Sequence, residues 1–283
     1  AENDGFNRLV LLARMSWRDV ALLRAYARYL KQIRLGFELP YIANTLVTHA
    51  DIARELVRLF KTRFYLARKL SADDLEDMQQ RLDQAIVGAL DGVAVLNEDR
   101  ILRRYLDLIK ATLRTNFYQN DDAGTVKDYI SLKFNPRAIP ELPLPRPMYE
   151  IFVYSPRFEG VHLRGGKVAR GGLRWSDREE DYRTEVLGLV KAQQVKNAVI
   201  VPVGAKGGFV PRRLPMGGSR DEVQQEAIAC YRLFIKGLLD LTDNLQEGKV
   251  VPPAQVVRHD EDDPYLVVAA DKGTATFSDI ANG

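Results

Sequence analysis

The chain has 283 residues, 46% of them apolar, enough for one large domain or two ordinary ones with packed cores. Lys and Arg number 41 against 38 Asp and Glu, a formal net charge of +3, and that balance excludes nucleic-acid binding driven by bulk charge. No apolar run reaches bilayer length, no signal-peptide core is present, and the single cysteine, Cys230, excludes a disulfide framework. Cys230 lies in the helix-like "EAIACYRLFIKGLL" and reads as a core thiol. His49, His162 and His259 stand far apart with no ligand spacing, so no metal site is expected. The natural setting is reducing and cytosolic, without membrane.

Taken in order, residues 6 to about 118 read as helix. In "DVALLRAYARYLKQI", Val20, Leu23, Tyr26, Ala27 and Leu30 recur at helical spacing. "DIARELVRLFKTRFYLARKL" repeats the pattern with Leu56, Leu59, Phe60 and Phe64. Ser71 with Asp73 and Asp74 predicts a capped helix start, and Asn97–Glu98 precedes another helix, "RILRRYLDLIKATLRTNFY". Basic side chains on these helices are interspersed with carboxylates, as on a solvated face. A proline cluster from Pro136 to Pro147 predicts an extended connector. Strand-like runs follow at 148–155 and 160–166, then a helix over about Glu179–Asn197, a buried strand "AVIVPV" at 198–203, a helix over Asp221–Leu241 and a strand at 265–270. That alternation predicts an α/β domain with a mostly parallel or mixed sheet, preceded by an all-helical region. The boundary is expected near residue 125, giving a helical region 1–125 and an α/β part 126–283.

The segment "VGAKGGFV" (203–210) sets one lysine among residues with almost no side chain. A Walker A loop needs a Ser or Thr directly after its lysine and a helix starting there. Here Gly207, Gly208, Phe209, Val210 and Pro211 follow Lys206, and the G-x-G-x-x-G dinucleotide fingerprint is also absent from the chain. The remaining reading is a small substrate brought close to Lys206, with the glycines giving clearance and letting a loop bend after its strand. On the preceding helix, Tyr182, Val186, Leu189, Gln193 and Lys196 share a stripe, and Lys191 lies away from it. Lys196 then either snorkels to solvent or enters a cleft with Lys206. Arg170, flanked by Gly171 and Gly172, adds a third cation. Such a cleft calls for a dicarboxylate, and crowding lowers a lysine pKa toward the range useful for acid–base work. Asp271 ends an apolar strand, where α/β sheets hold active-site groups; capping a helix near Thr276–Asp279 is its other reading.

Residues 169–210, "ARGGLRWSDREEDYRTEVLGLVKAQQVKNAVIVPVGAKGGFV", resemble the substrate-domain signature of amino-acid dehydrogenases, most closely the large NAD-dependent glutamate dehydrogenases. Residues 265–282 resemble the next signature of those enzymes, and residues 6–30 the region before their catalytic domain. The resemblance implies oxidative deamination of glutamate to 2-oxoglutarate and ammonia with NAD. By that resemblance Lys206 is the catalytic lysine and Asp271 the proton-transfer residue. Lys196, Arg170, Gly171 and Gly172 are then substrate-binding. Arg170 stands where small relatives carry lysine, which leaves Lys167 as a substitute. The resemblance also implies a homo-oligomer at full length, and a piece that stops before the NAD-binding domain, inactive by itself. A dehydrogenase of another amino acid and a non-enzymatic helical interaction module with a degenerate α/β domain are the competing expectations.

Overall fold

A computed structural model of the chain describes residues 2–66, 70–196, 203–270 and Phe277; the side chains of residues 194–196 lie outside that description. Two compact units emerge, Ala1–Thr112 and Leu113–Gly283.

The first unit is helical, with α1 (Arg8–Leu12), α2 (Trp17–Gln32), α3 (Leu39–Thr48), α4 (Ala50–Phe64), α5 (Ala72–Leu90) and α6 (Leu96–Ala111). Ser16 starts α2 with a capping box: its hydroxyl accepts from the Asp19 amide while the Asp19 carboxylate accepts from the Ser16 amide. Ser71 caps α5 through the Asp74 amide, as its sequence predicts. Every apolar stripe residue named above for α2 and α4 is buried. Tyr26 lies edge-on to both Phe60 and Tyr105, centroids 6.3 Å away in each case. Its hydroxyl meets Thr112 Oγ1 at 2.8 Å.

Helix does not continue to residue 118. At Thr112 the backbone turns extended and its hydroxyl donates to the Leu108 carbonyl, closing α6. Thr112–Thr115 is instead β1, a β-branched segment that tertiary pairing claims for a sheet.

The second unit is that sheet with two long helices. Its further strands are β2 (Ile130–Phe134), β3 (Tyr149–Tyr154), β4 (Phe158–Arg164), β5 (Ala169–Trp175), β6 (Val203–Pro211) and β9 (Val267–Ala270), in the order β1-β2-β3-β4-β6-β5-β9. A separate small hairpin pairs β7 (Asn244–Gln246) with β8 (Lys249–Val251). Pairings from β2 through β6 are antiparallel, whereas β5 runs parallel to both β6 and β9. The sheet is therefore mixed, with its parallel part at the β6-β5-β9 end.

One helix lies on each face. α7 (Tyr182–Lys196) is fastened to one face by Arg183, fully buried, which donates to both Glu150 carboxylate oxygens at 2.6 and 2.8 Å. α8 (Arg220–Leu239), started by a Ser219/Glu222 capping box, covers the other face. There Phe158, Phe209, Cys230, Tyr231, Phe234 and Leu238 form the core.

Of the expected strand "AVIVPV" at 198–203, residues 198–202 lie outside the described residues, and Val203 opens β6. The expected loop at 203–210 is not a loop: it is the body of β6. Glycines lower strand propensity, so the sequence pattern hides a strand that its neighbours on both sides hold in place.

Candidate active site

Side chains alternate across a strand, and paired residues share a face. Lys206 pairs with Leu163 on β4, and the register that joins Arg170 to Gly204 and Leu173 to Gly207 sets Gly172 beside Lys206. Gly172 pairs in turn with Ala269 on β9. Leu163, Lys206, Gly172 and Ala269 thus form a line across the sheet on the α7 face.

The glycines on either side of Lys206 have a physical reason other than bending. A Cβ at Gly204 would sit 2.2 Å from the Gln193 side-chain amide of α7, and one at Gly208 would sit 2.7 Å from Val186 Cγ2. Both glycines let α7 lie directly on β6, with Lys206 between the two contacts. The half-buried lysine therefore lies under the helix on one side and beside side-chain-free Gly172 on the other.

Arg170 is on the same face, on the neighbouring strand and two residues back along it, about 8 Å from Lys206 between Cα atoms by strand spacing and rise. Its side chain is exposed. Lys167, the alternative cation, is exposed and ion-paired with Glu261, and that hydrogen bond holds its ammonium above the usual lysine range. Gly171 is required for another reason: a Cβ there would lie 1.5 Å from the Ala205 carbonyl oxygen. Arg174, next along the same face, is committed to α7, donating to Glu185 at 2.8 Å, while Ser176 donates to the other Glu185 oxygen at 2.6 Å. Lys191 is exposed, away from the packed stripe as expected.

Gln193 is a residue the sequence reading placed on the stripe of Tyr182, Val186, Leu189 and Lys196 without giving it a role. Its amide packs on Gly204, on the face of Lys206 and Arg170, and its Oε1 is buried without a hydrogen-bond partner among the described residues. A polar residue following Tyr182, Val186 and Leu189 on the stripe that packs on the sheet is the signal that points to it.

The side chain of Lys196, the last residue of α7, and the whole of Asp271 lie outside the described residues. The residues on either side of the Asp271 stretch are held. Ala270 pairs with Leu173, and Phe277 is buried against Trp175 and Tyr231, with ring centroids at 6.4 and 5.2 Å.

On the opposite face, directly behind Lys206, Gly207 is backed by His162. That imidazole is buried, with neither ring nitrogen bonded among the described residues. Burial, and then the adjacent Arg164 guanidinium, push its pKa down to about 3, so it is neutral at ordinary pH. The Cys230 thiol is pushed up to about 12 by burial and the nearby Glu226 carboxylate, which makes it a poor nucleophile. No group of His, Cys, Asp and Glu able to hold a metal is found among the described residues, and no described helix is long and apolar enough to cross a membrane.

The second unit is thus a mixed α/β sheet whose α7 face carries a half-buried lysine and, on the next strand, an exposed arginine. Residues 85–283 match the model of the bacterial NAD-glutamate dehydrogenase catalytic domain, and residues 1–66 match helical motif 3 of glutamate dehydrogenase. The chain belongs to the bacterial NAD-glutamate dehydrogenase family. It is similar over its full length to the NAD-specific glutamate dehydrogenase of Pseudomonas aeruginosa, 85% identical over 283 residues, and to that of Halomonas elongata, 64% identical over 282. The Mycobacterium tuberculosis enzyme of the same name is 54% identical over 289 aligned positions, covering 99% of the chain. The chain spans 18%, 17% and 18% of the length of those three proteins respectively.

Proposed function

We propose that the chain supplies the substrate-binding half of an NAD-dependent glutamate dehydrogenase, oxidising L-glutamate to 2-oxoglutarate and ammonia. The observation that carries this is Lys206: half-buried on β6 among glycines, with Arg170 exposed on the same face of the next strand.

In this reading Arg170 takes a substrate carboxylate through its two-pronged guanidinium, an arrangement a point-charge ammonium does not reproduce. Lys196 takes a carboxylate from the end of α7. Gly171 and Gly172 keep the substrate's approach clear. The buried acceptor of Gln193 receives an N–H of the substrate ammonium. The Lys206 ammonium donates to the oxygen that forms at the α-carbon as water adds to the imine, and Asp271 relays the proton that leaves that water. Held together, these groups replace a random encounter with a fixed geometry.

NAD would accept hydride from the α-carbon. The described residues offer it no glycine-rich βα cradle, and the chain has no G-x-G-x-x-G, so its contacts are assigned to parts of the enzyme beyond this chain. By the same reading the chain by itself does not turn over glutamate, and the enzyme is a cytoplasmic homo-oligomer of amino-acid catabolism.

The test is Lys206→Ala in the full-length enzyme. Turnover falls by about 10³-fold or more, as for loss of a principal charge-stabilising donor, while the thermal midpoint is retained. Glutamate oxidation at near wild-type rate in a folded variant removes Lys206 from the mechanism.

A further inference from the structure

The segment Arg258–Tyr265, rich in carboxylates, touches the strands of the sheet one after another. The His259 amide donates to Leu113 O on β1 at 3.0 Å. Asp260 accepts from Arg114 of β1 and from Lys133 of β2, each at 2.5 Å. Asp263 accepts from Lys133 at 2.6 Å and from Arg164 of β4. The Tyr265 carbonyl accepts from Arg164 Nη1 at 2.5 Å. Two residues later the chain is β9, with Val267 paired to Arg170. Asp243 anchors the segment from the other side, exchanging backbone and carboxylate bonds with Asp263 and accepting from Arg114.

Arg114, Lys133 and Arg164 are almost wholly buried, as are Asp243 and Asp263. Three buried cations match the carboxylates of Asp243, Asp260 and Asp263, and the Tyr149 ring lies against Lys133 and Arg164 at 4.1 and 5.1 Å. Buried ion pairs are weak sources of net stability because desolvation offsets their attraction, but breaking one strands a charge. What such a network does well is fix one arrangement. Arg164 is the member that reaches furthest toward the site. Its own strand position pairs with Ala205, next to Lys206, and its fork holds both Asp263 and the carbonyl that leads into β9.

We propose that Arg164 is a positioning residue: it ties the carboxylate-rich strap to the strand beside Lys206, and so sets the placement of β9 and of the proton-transfer group that follows it. This rests on the reading above that assigns Asp271 that role. Lysine at 164 keeps a charge for Asp263 but replaces the fork by a single ammonium, leaving the Tyr265 carbonyl without its donor.

The experiment compares Arg164→Lys, Asp271→Asn and the double variant in the full-length enzyme. In Arg164→Lys, amides of Val267–Ala270 exchange with deuterium about tenfold faster, while those of α8 do not change. Its kcat falls about tenfold with KM within about twofold. On the Asp271→Asn background the same substitution costs less than about twofold, because its effect passes through Asp271. Unchanged exchange in β9 overturns the strap's role. Costs that multiply in the double variant overturn its action through Asp271. Normal turnover by Asp271→Asn overturns the functional half together with the reading beneath it, and the exchange result shows whether the strap survives. If Arg164→Lys does not fold, Asp263→Asn, which removes the shared carboxylate charge and keeps its shape, is read by the same measurements.

Discussion

The two faces of the sheet use glycine for opposite purposes. On the α8 face, Gly160 makes room for the core: a Cβ there would meet the Phe234 ring at 2.6 to 3.0 Å, inside an aromatic cluster. On the α7 face, Gly204 makes room for one polar side-chain end, the amide of Gln193, next to Lys206. The first packing is apolar, the second sets a polar side-chain end against the strand of a half-buried lysine. In the proposed reading the first face carries stability and the second carries chemistry.

The same substitution on each face separates the two roles. Gly160→Ala overpacks the aromatic cluster and costs about 1–3 kcal/mol, seen as a lower denaturant midpoint, with KM for glutamate unchanged. Gly204→Ala displaces a flexible side-chain end, so it costs about 1 kcal/mol or less, but it evicts the Gln193 amide and raises KM for glutamate about tenfold. If Gly160→Ala raises KM as much as Gly204→Ala does, the division between the faces fails.

A smaller effect lies behind Lys206. The His162 imidazole titrates near 6.5 when unfolded and near 3 when folded, so the unfolded chain binds its proton first as pH falls. Its contribution is fully present above pH about 6.5 and is lost progressively from there down to about 3. Asp263 acts in the same direction: burial raises its pKa, but Arg164 and Lys133 outweigh that and hold it below the usual carboxylate range. Comparing His162→Leu with the parent isolates the histidine. Between pH 7.5 and 5 the variant should lose about 2 kcal/mol less stability than the parent. Equal losses in the two proteins show that His162 does not govern acid sensitivity on this face.

How much was legible in advance depends on the range of the forces involved. The helical stripe of Val20, Leu23, Tyr26, Ala27 and Leu30, the Ser71 cap and the alternation of strands and helices after Pro147 are local signals, and the fold follows them. The lysine–glycine segment at 203–210 stood out by its composition, a lone cation among glycines. Its conformation did not. Strand pairing on both sides of β6 outweighs the poor strand propensity of Gly204, Gly207 and Gly208, and that pairing joins residues 34 to 53 positions apart. The switch from helix to strand at Thr112 was hidden for the same reason.

By itself, then, the sequence determined an α/β class behind a helical region, and the identity of the residues around Lys206, because periodicity, caps and residue chemistry act within a few positions. Only the tertiary structure decided that Lys206 sits on a strand under α7, that Gln193 packs on Gly204 of that strand, and that residues 258–265 bond to β1, β2 and β4. Those outcomes depend on which strands become neighbours and which backbone approaches leave no room for a Cβ, and such long-range packing is not encoded in any single stretch.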